Sequence, residues 1–403
     1  MTEWKEYKLG EIAEITSSKR IFYSEYVSGG VPFYRSKEII DLYNKRNVAT
    51  ELYISLERYN EIKDKFGVPQ KDDILLTSVG SLGIPYKVKD EDYFYFKDGN
   101  LTWFKDININ IIYPDYFVFW LTSCIGKQKL DEITIGSTQA ALTISGLKTV
   151  VIELPPLPEQ IRIASILSSL DDKIDLLHCE NKTLEAMAET IFRQWFIEEA
   201  KEDWEEGKLG DYVELVNGVS YKGDELQPSN VAMVTLKSFD RNGGFRMDGY
   251  KEFTGKFKKE QVLYDGDLVV AHTDITQEAD VIGNPVIVIG KNQYETITFS
   301  MDVVKVVSKS EFFSNSFLYY LMKTQAFKEH CLGYANGSTV LHLSKKAIPE
   351  FEFHIPPKII AQSFQKQIES INKKILNNNN EIQTLIQMRD GLLPKLMSGE
   401  VKI

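Results

Sequence analysis

Histidine and cysteine are scarce in this 403-residue chain, which has five of the first and three of the second. The cysteines (Cys124, Cys179, Cys331) form no C-x-x-C pair and are too few for a disulfide framework, so a reducing, intracellular setting is expected. The histidines (His178, His272, His330, His342, His354) are scattered. His178-Cys179 and His330-Cys331 are adjacent pairs without further ligands nearby, and no metal site is expected. Long apolar runs are missing too. No window approaches the roughly eighteen apolar residues of a membrane helix, and the opening MTEWKEYKLG has no apolar signal core. A cytoplasmic chain with no membrane partner is therefore expected. Phosphate cradles are absent: Gly283 to Lys291 has the wrong spacing for a G-x-x-x-x-G-K-[ST] loop, and no G-x-G-x-x-G follows a strand. Nothing resembles a nucleophile elbow. Excess positive charge is also lacking; the net charge is −11, which taken alone disfavours a nucleic-acid partner.

What is present begins with the stretch Leu154 to Phe196. It opens on an extended lead, Pro155, Pro156 and Pro158, and then runs without another Pro or any Gly. Leu167, Leu170, Ile174, Leu177, Leu184, Ile191 and Trp195 fall on alternating three- and four-residue steps, with Asn181 and Ala188 in the two remaining places. This is the a/d seam of a heptad repeat and predicts a coiled-coil helix, roughly 55 Å long at 1.5 Å per residue. A partner is expected from Ile355 to Met397, where Pro155-Pro156 recur as Pro356-Pro357. Its seam is Ile368, Ile371, Ile375, Asn378, Ile382, Leu385, Leu392 and Leu396. A polar residue at a single a/d position costs stability but fixes register, and antiparallel pairing would set Asn181 and Asn378 at similar heights. Of the run Asn377-Asn378-Asn379-Asn380, only Asn378 is expected to face inward.

The match between the two stretches extends upstream. Gly136-Ser137-Thr138 meets Gly337-Ser338-Thr339, and Trp4-Lys5-Glu6 with Lys8-Leu9-Gly10 recurs as Trp204-Glu205-Glu206 with Lys208-Leu209-Gly210. The chain is a tandem duplication with a period of about 200 residues. Each copy is a globular part followed by a long helix: residues 1–153 and 154–200, then 201–354 and 355–403. The globular parts read as α+β. Ile74-Leu75-Leu76, Tyr93 to Phe96 and Val150-Val151-Ile152 predict strands, and Tyr113 to Leu130 a helix. Leu268-Val269-Val270 and Phe312 to Lys328 repeat that plan.

Charge is unevenly spread. Between Lys237 and Lys259 there are seven basic residues against three acidic, interleaved with Phe239, Phe245, Tyr250, Phe253 and Phe257. Lys19 to Arg46 carries six basic against three acidic, with Phe22, Tyr23, Tyr26, Phe33, Tyr34 and Tyr43. A basic, aromatic-rich loop at corresponding places in both copies is the footprint a DNA-binding surface needs; the plainer reading is solvated loops with scattered core aromatics. Glu61-Ile62-Lys63 could be half of a carboxylate–lysine nuclease site, but it lies in a charged helical stretch. No candidate catalytic set recurs in both copies, and the chain reads as non-catalytic.

Several motifs occur in a telling order: Trp4 to Ile12, Val31 to Ser36, Asp73 to Gly83, and Gly136 to Gln139 leading through Leu154-Pro155-Pro156-Leu157-Pro158-Glu159-Gln160 into the long helix. Arg389 to Glu400 closes the series. Over the whole chain this order resembles the specificity (S) subunit of type I restriction-modification systems. The second copy departs from the first in two places. Ala271-His272-Thr273-Asp274 stands where the first has Thr77-Ser78-Val79-Gly80, and Pro357 to Gln362 carries one more residue before its Gln.

The resemblance implies an α+β tandem repeat of two globular target-recognition domains, separated by two long helices packed as an antiparallel coiled coil with pseudo-two-fold symmetry. Each domain would read one half of a bipartite, asymmetric site in double-stranded DNA while the helices set the gap; one turn of B-DNA is about 34 Å. It also implies docking of modification subunits, two of them, and through them of restriction subunits. S-adenosylmethionine, ATP and Mg²⁺ would belong to those partners, with no cofactor in this chain. For DNA contact the loops nominate Arg35, Ser36, Lys37, Ser78, Ser81, Ser137, Thr138 and Gln139 in the first copy. In the second they nominate Lys237, Ser238, Arg241, Arg246, His272, Ser338, Thr339 and His342. The plain alternative for each is a turn cap or a solvated charge. The rival function is a non-catalytic scaffold whose helices bind only protein; salt-sensitive DNA affinity separates the two.

Overall fold

Two proline pairs decide where the long helices start. Pro155-Pro156 and Pro356-Pro357 keep the backbone extended, and one residue past each pair the helices Leu157–Arg193 and Lys358–Met397 begin. The computed structural model describes residues 4–46, 48–136, 140–241, 243–276, 278–290 and 293–401. Pro158 does not belong to the extended lead. It sits in the first helical turn, where its missing amide has no intrahelical acceptor to lose. The extra residue before the second Gln leaves the helix start unchanged and alters a side chain instead. Gln160 is buried and ties the helix to the globular part through Tyr113 N, Ile111 O and Pro155 O, each at 2.9 Å. Ala361 is buried at the corresponding place, and Gln362 is exposed.

The chain divides into two compact units, Met1–Asp175 with Thr384–Ile403, and Leu176–Gln383. In the first, an antiparallel sheet runs in the order Glu14–Thr16, Leu101–Lys105, Ile74–Thr77, Pro85–Lys87. A second sheet runs Tyr26–Val27, Tyr53–Ile54, Val31–Tyr34, Tyr95–Phe96, its last pair parallel. The ribbon Lys5–Lys8 with Val151–Leu154 leads into the long helix. Tyr113 to Leu130 is two helices, Pro114–Thr122 and Cys124–Glu132, because the Ser123 hydroxyl caps the second by accepting from Gly126 N. The core joins Leu9, Ile74, Leu76, Phe104, Phe117 and Trp120 to Ile163, Ala164 and Leu167 of the first long helix, and to Leu396 and Met397 of the second.

The second unit repeats the plan. Its main sheet is Val213–Asn217, Val303–Ser308, Leu268–Ala271, Pro285–Ile287, and its second is Lys251–Glu252, Val231–Val234, Thr296–Phe299, again with a parallel pair. A small third sheet sets Leu341–Leu343 between Thr273–Asp274 and Ala335–Asn336. Phe312 to Lys328 divides into Asn315–Met322 and Gln325–Gly333, Thr324 capping the latter. Ala188, Phe192, Ala361, Phe364 and Ile368 of the long helices enter the core against Leu268, Val270, Phe317 and Leu318.

Within each unit the long helices run antiparallel. Arg389 pairs with Asp171 at 2.8 Å in the first; in the second the Phe192 and Phe364 rings lie 5.5 Å apart. Leu167, Ile174, Leu177, Ile368, Asn378, Ile382 and Leu396 are buried. Leu170, Asn181, Leu184, Ile191, Trp195, Ile371, Ile375, Leu385 and Leu392 are half-buried. Asn378 Nδ2 donates to Asn181 Oδ1 and Asn181 Nδ2 to Asn379 Oδ1, both at 2.8 Å, and Asn378 also donates to Glu180 at 2.9 Å. Asn379 thus faces inward beside Asn378, contrary to the heptad reading, because it and not Asn378 accepts from the Asn181 Nδ2. The Asn run is regular helix. The first long helix ends in a π turn, Gln194–Glu198. Among the described residues no helix is long and apolar enough to cross a membrane.

Candidate nucleic-acid interface

Each main sheet ends its central strand at a junction of three segments. In the first unit Ser78 follows that strand; its N–H donates to Asn100 O at 2.8 Å, and its carbonyl accepts from Leu142 N at 2.9 Å. Val79 and Ile135 both bridge to Ala141. In the second unit His272 stands in the place of Ser78: its N–H donates to Asp302 O at 2.8 Å and its carbonyl accepts from Leu343 N at 2.9 Å. Thr273 pairs with His342, and Asn336 does as well. The junction therefore gathers the end of the central strand and the segment flanking each Gly-Ser-Thr motif.

The nominated residues divide at this junction. Ser78 is buried, with its hydroxyl spent on Thr102 Oγ1 at 2.6 Å and Leu76 O at 3.2 Å, so it braces the junction from within and presents nothing outward. Ser36 Oγ reaches the same Asn100 carbonyl at 3.4 Å. Arg35 is held by Glu38 at 2.8 Å, where burial alone would raise the carboxyl; hydrogen bonds from the Arg35 side chain and amide outweigh that and keep its pKa low. Lys37 and Ser81 are exposed. Ser137, Thr138 and Gln139 lie outside the described residues.

In the second unit Lys237 is exposed and Ser238 buried, its hydroxyl without a hydrogen-bond partner. Arg246 makes a two-point contact with Asp248 at 3.1 and 2.6 Å, and Arg241 lies 3.7 Å from Asp280. Ser338, Thr339 and His342 are exposed. His272 is half-buried over a groove of about 300 Å³ lined by Gly210, Val213, Asn217, Lys345 and Pro349. Burial, with His342 and Lys345 adding to it against the opposing pull of Asp302, lowers the His272 pKa.

Of the interleaved aromatics, Phe33, Phe239 and Phe253 are core residues, whereas Phe22 and Tyr23 are 61% and 89% exposed. Sequence reasoning passed over Asn100 and Asp302, the shared braces of the two junctions. Their corresponding place just before the strands Leu101–Lys105 and Val303–Ser308 was the available signal.

Two units of one plan, each with a polar junction beside loops that differ between the copies, define a duplicated recognition protein. Residues 1–186 and 201–388 each match the family described as the type I restriction modification DNA specificity domain. The chain is 26% identical to the type I restriction enzyme MjaIX specificity subunit of Methanocaldococcus jannaschii, covering 100% of this chain and 97% of that protein. It is 24% identical to the HindI specificity subunit of Haemophilus influenzae, covering 100% of both. The crystal structure of a type I restriction-modification S subunit from M. genitalium superposes with a TM-score of 0.53 at 16% identity, covering 98% of this chain and 96% of that one. The chain belongs to the family of type I restriction-modification specificity subunits.

Proposed function

We propose that this chain is the DNA-recognition subunit of a type I restriction-modification complex, each unit reading one half of a bipartite, asymmetric site. The observation that carries the reading is a shared backbone junction whose outward side chains differ: half-buried Ala141 in the first unit stands where the second has exposed His342. A common frame with divergent edges is what two readers of different base blocks need, since base edges specify and phosphate contacts only position. Residues 1–153 and 201–354 serve as the recognition domains, and 154–200 and 355–403 as spacers that set the gap and dock two modification subunits. The chain itself is non-catalytic; S-adenosylmethionine, ATP and Mg²⁺ are bound by the modification and restriction subunits.

Methylation mapping of genomic DNA from cells carrying this chain and its methylase partner tests the proposal, with deletion of the chain as control. A bipartite motif that vanishes on deletion, and changes in one block when residues 201–354 are exchanged, is the expected result. Methylation independent of the chain would return the protein-binding scaffold to first place.

A further inference from the structure

The two units differ where their central strands hand over to the next. In the first, Gly83 N donates to Thr77 O at 2.8 Å and Thr77 N to Ile84 O at 3.1 Å. In the second, Gly283 N donates to Ala271 O at 2.8 Å and Ala271 N to Asn284 O at 3.1 Å. Both glycines need the left-handed region, at φ +75° and +77°, and both lie where a Cβ would press on the same helix position, Leu130 or Cys331. These turns are therefore one turn. Five residues separate Thr77 from Gly83, but eleven separate Ala271 from Gly283. The second unit has a six-residue insertion, and this accounts for its departure from the first at Ala271-His272-Thr273-Asp274.

The insertion is built, not merely tolerated. The Asp274 carboxylate is buried and accepts from Thr276 N and Oγ1 at 2.8 Å, Val281 N at 2.6 Å and Ile282 N at 3.0 Å. On the other side Lys328 Nζ donates to Ala279 O at 2.9 Å, Ile282 O at 2.7 Å and Asn284 Oδ1 at 2.8 Å. Its counterpart in the first unit, Lys127, is exposed. A charged group at each side of the insertion is fully engaged in holding backbone, and charge-assisted hydrogen bonds are the strong kind. The held segment presents an apolar side chain to solvent: Ile275 is 73% exposed. Its neighbours are mostly polar, although Val340 in the adjoining turn is also exposed. The pairing of Thr273 with His342 sets it beside exposed Ser338 and Thr339, and the Arg241–Asp280 contact joins it to the basic hairpin around Phe239 and Phe245.

We propose that this insertion is the base-reading element of the second unit, with Ile275 making apolar contact with a thymine 5-methyl group in the major groove, and Asp274 and Lys328 as its positioning residues. Thymine is the base whose major-groove edge is partly apolar, so the most exposed aliphatic side chain on a largely polar edge has a natural counterpart there. Backbone held from both sides by Asp274 and Lys328 has less order to lose on docking, which favours discrimination over mere attachment. The inference rests on the DNA-recognition reading above and deepens it.

The test uses the full chain with its methylase partner and reads the methylated motif of each variant. Ile275→Ala should relax discrimination at one position by roughly fivefold or more, the lower end of what one mismatched pair costs. That position should lie in the block altered by exchanging residues 201–354, with the other block and the gap unchanged. Lys328→Gln should blur the same block, with the other block still read as in the wild type, while Lys328→Arg restores it. An unaltered motif in Ile275→Ala overturns the proposal. So does a uniform fall in methylation at every site, which would mark the insertion as a contact for a partner subunit. A wild-type chain that directs no bipartite motif would instead sink the underlying DNA-recognition reading.

Discussion

The duplicated turns before the two central strands show how one backbone is kept with different chemistry. Asp73 accepts from Gln70 N and Trp103 Nε1, each at 2.8 Å; Asp267 accepts from Tyr264 N at 2.8 Å and pairs with Lys305 at 2.7 Å. Trp103 and Lys305 hold equivalent places in their sheets, opposite Leu75 and Val269. An indole cannot neutralise a carboxylate. Burial therefore pushes Asp73 up to about 6, with the two hydrogen bonds only partly opposing it. The folded state binds this proton more tightly than the unfolded chain, so the stability it confers is complete below about pH 3.8 and is lost as the pH rises through 6. Asp73→Asn should remove that slope. Melting of the wild type against the variant between about pH 4.5 and 7 would show it, and parallel curves would contradict it.

Among the helices, the asparagine cluster is the feature with most at stake. Asn181, Asn378 and Asn379 satisfy one another between otherwise apolar turns. Asn378→Leu would strand the Asn181 carbonyl and should cost about 1–3 kcal/mol, the price of a buried unsatisfied group. Replacing all three with Leu should recover most of that, and register would then be held by packing alone. Urea unfolding of the single and triple variants distinguishes these outcomes; equal losses in both would mean that packing volume and not hydrogen bonding decides.

Such elements also mark how far the sequence could be read. Heptad spacing located the seam, because a 3.5-residue period leaves little choice of buried face. It could not anticipate Asn379, since the partner's amide and not periodicity draws that residue inward. Ser78 looked like a loop hydroxyl beside Gly80. Its burial depends on Thr102, a contact between distant parts of the chain that local spacing does not encode. The insertion was visible in principle: the offset between copies is 200 at Leu9 and Leu209, 194 at Ile74 and Leu268, and 200 again at Gly83 and Gly283.

For the whole molecule the net charge of −11 gives a clear prediction. Attraction to DNA must come from local clusters against an unfavourable total field, so it should be sharply screened. Anisotropy titrations of the assembled methylase on its mapped duplex should show affinity falling roughly a thousandfold or more between about 50 and 200 mM salt, if six or more phosphates are neutralised. A nearly flat response would speak against phosphate contacts as the main source of binding.

Finally, the first unit is assembled from two stretches that are far apart in the chain. Leu396 and Met397 close a core begun by Leu9, Ile74 and Leu167. On the ribosome those early residues emerge long before the late ones. At about 5–20 residues per second the wait is on the order of ten to fifty seconds. Throughout it, the nascent first unit lacks the Leu396 and Met397 side chains of its core, while the second unit is still being made. The turns around Leu396 and Met397 thus act as a clasp, so loss of residues 384–401 should damage the unit that holds Leu9 and Ile74. Limited proteolysis of ribosome-bound chains, stalled before and after residues 384–401 emerge, would time that closure.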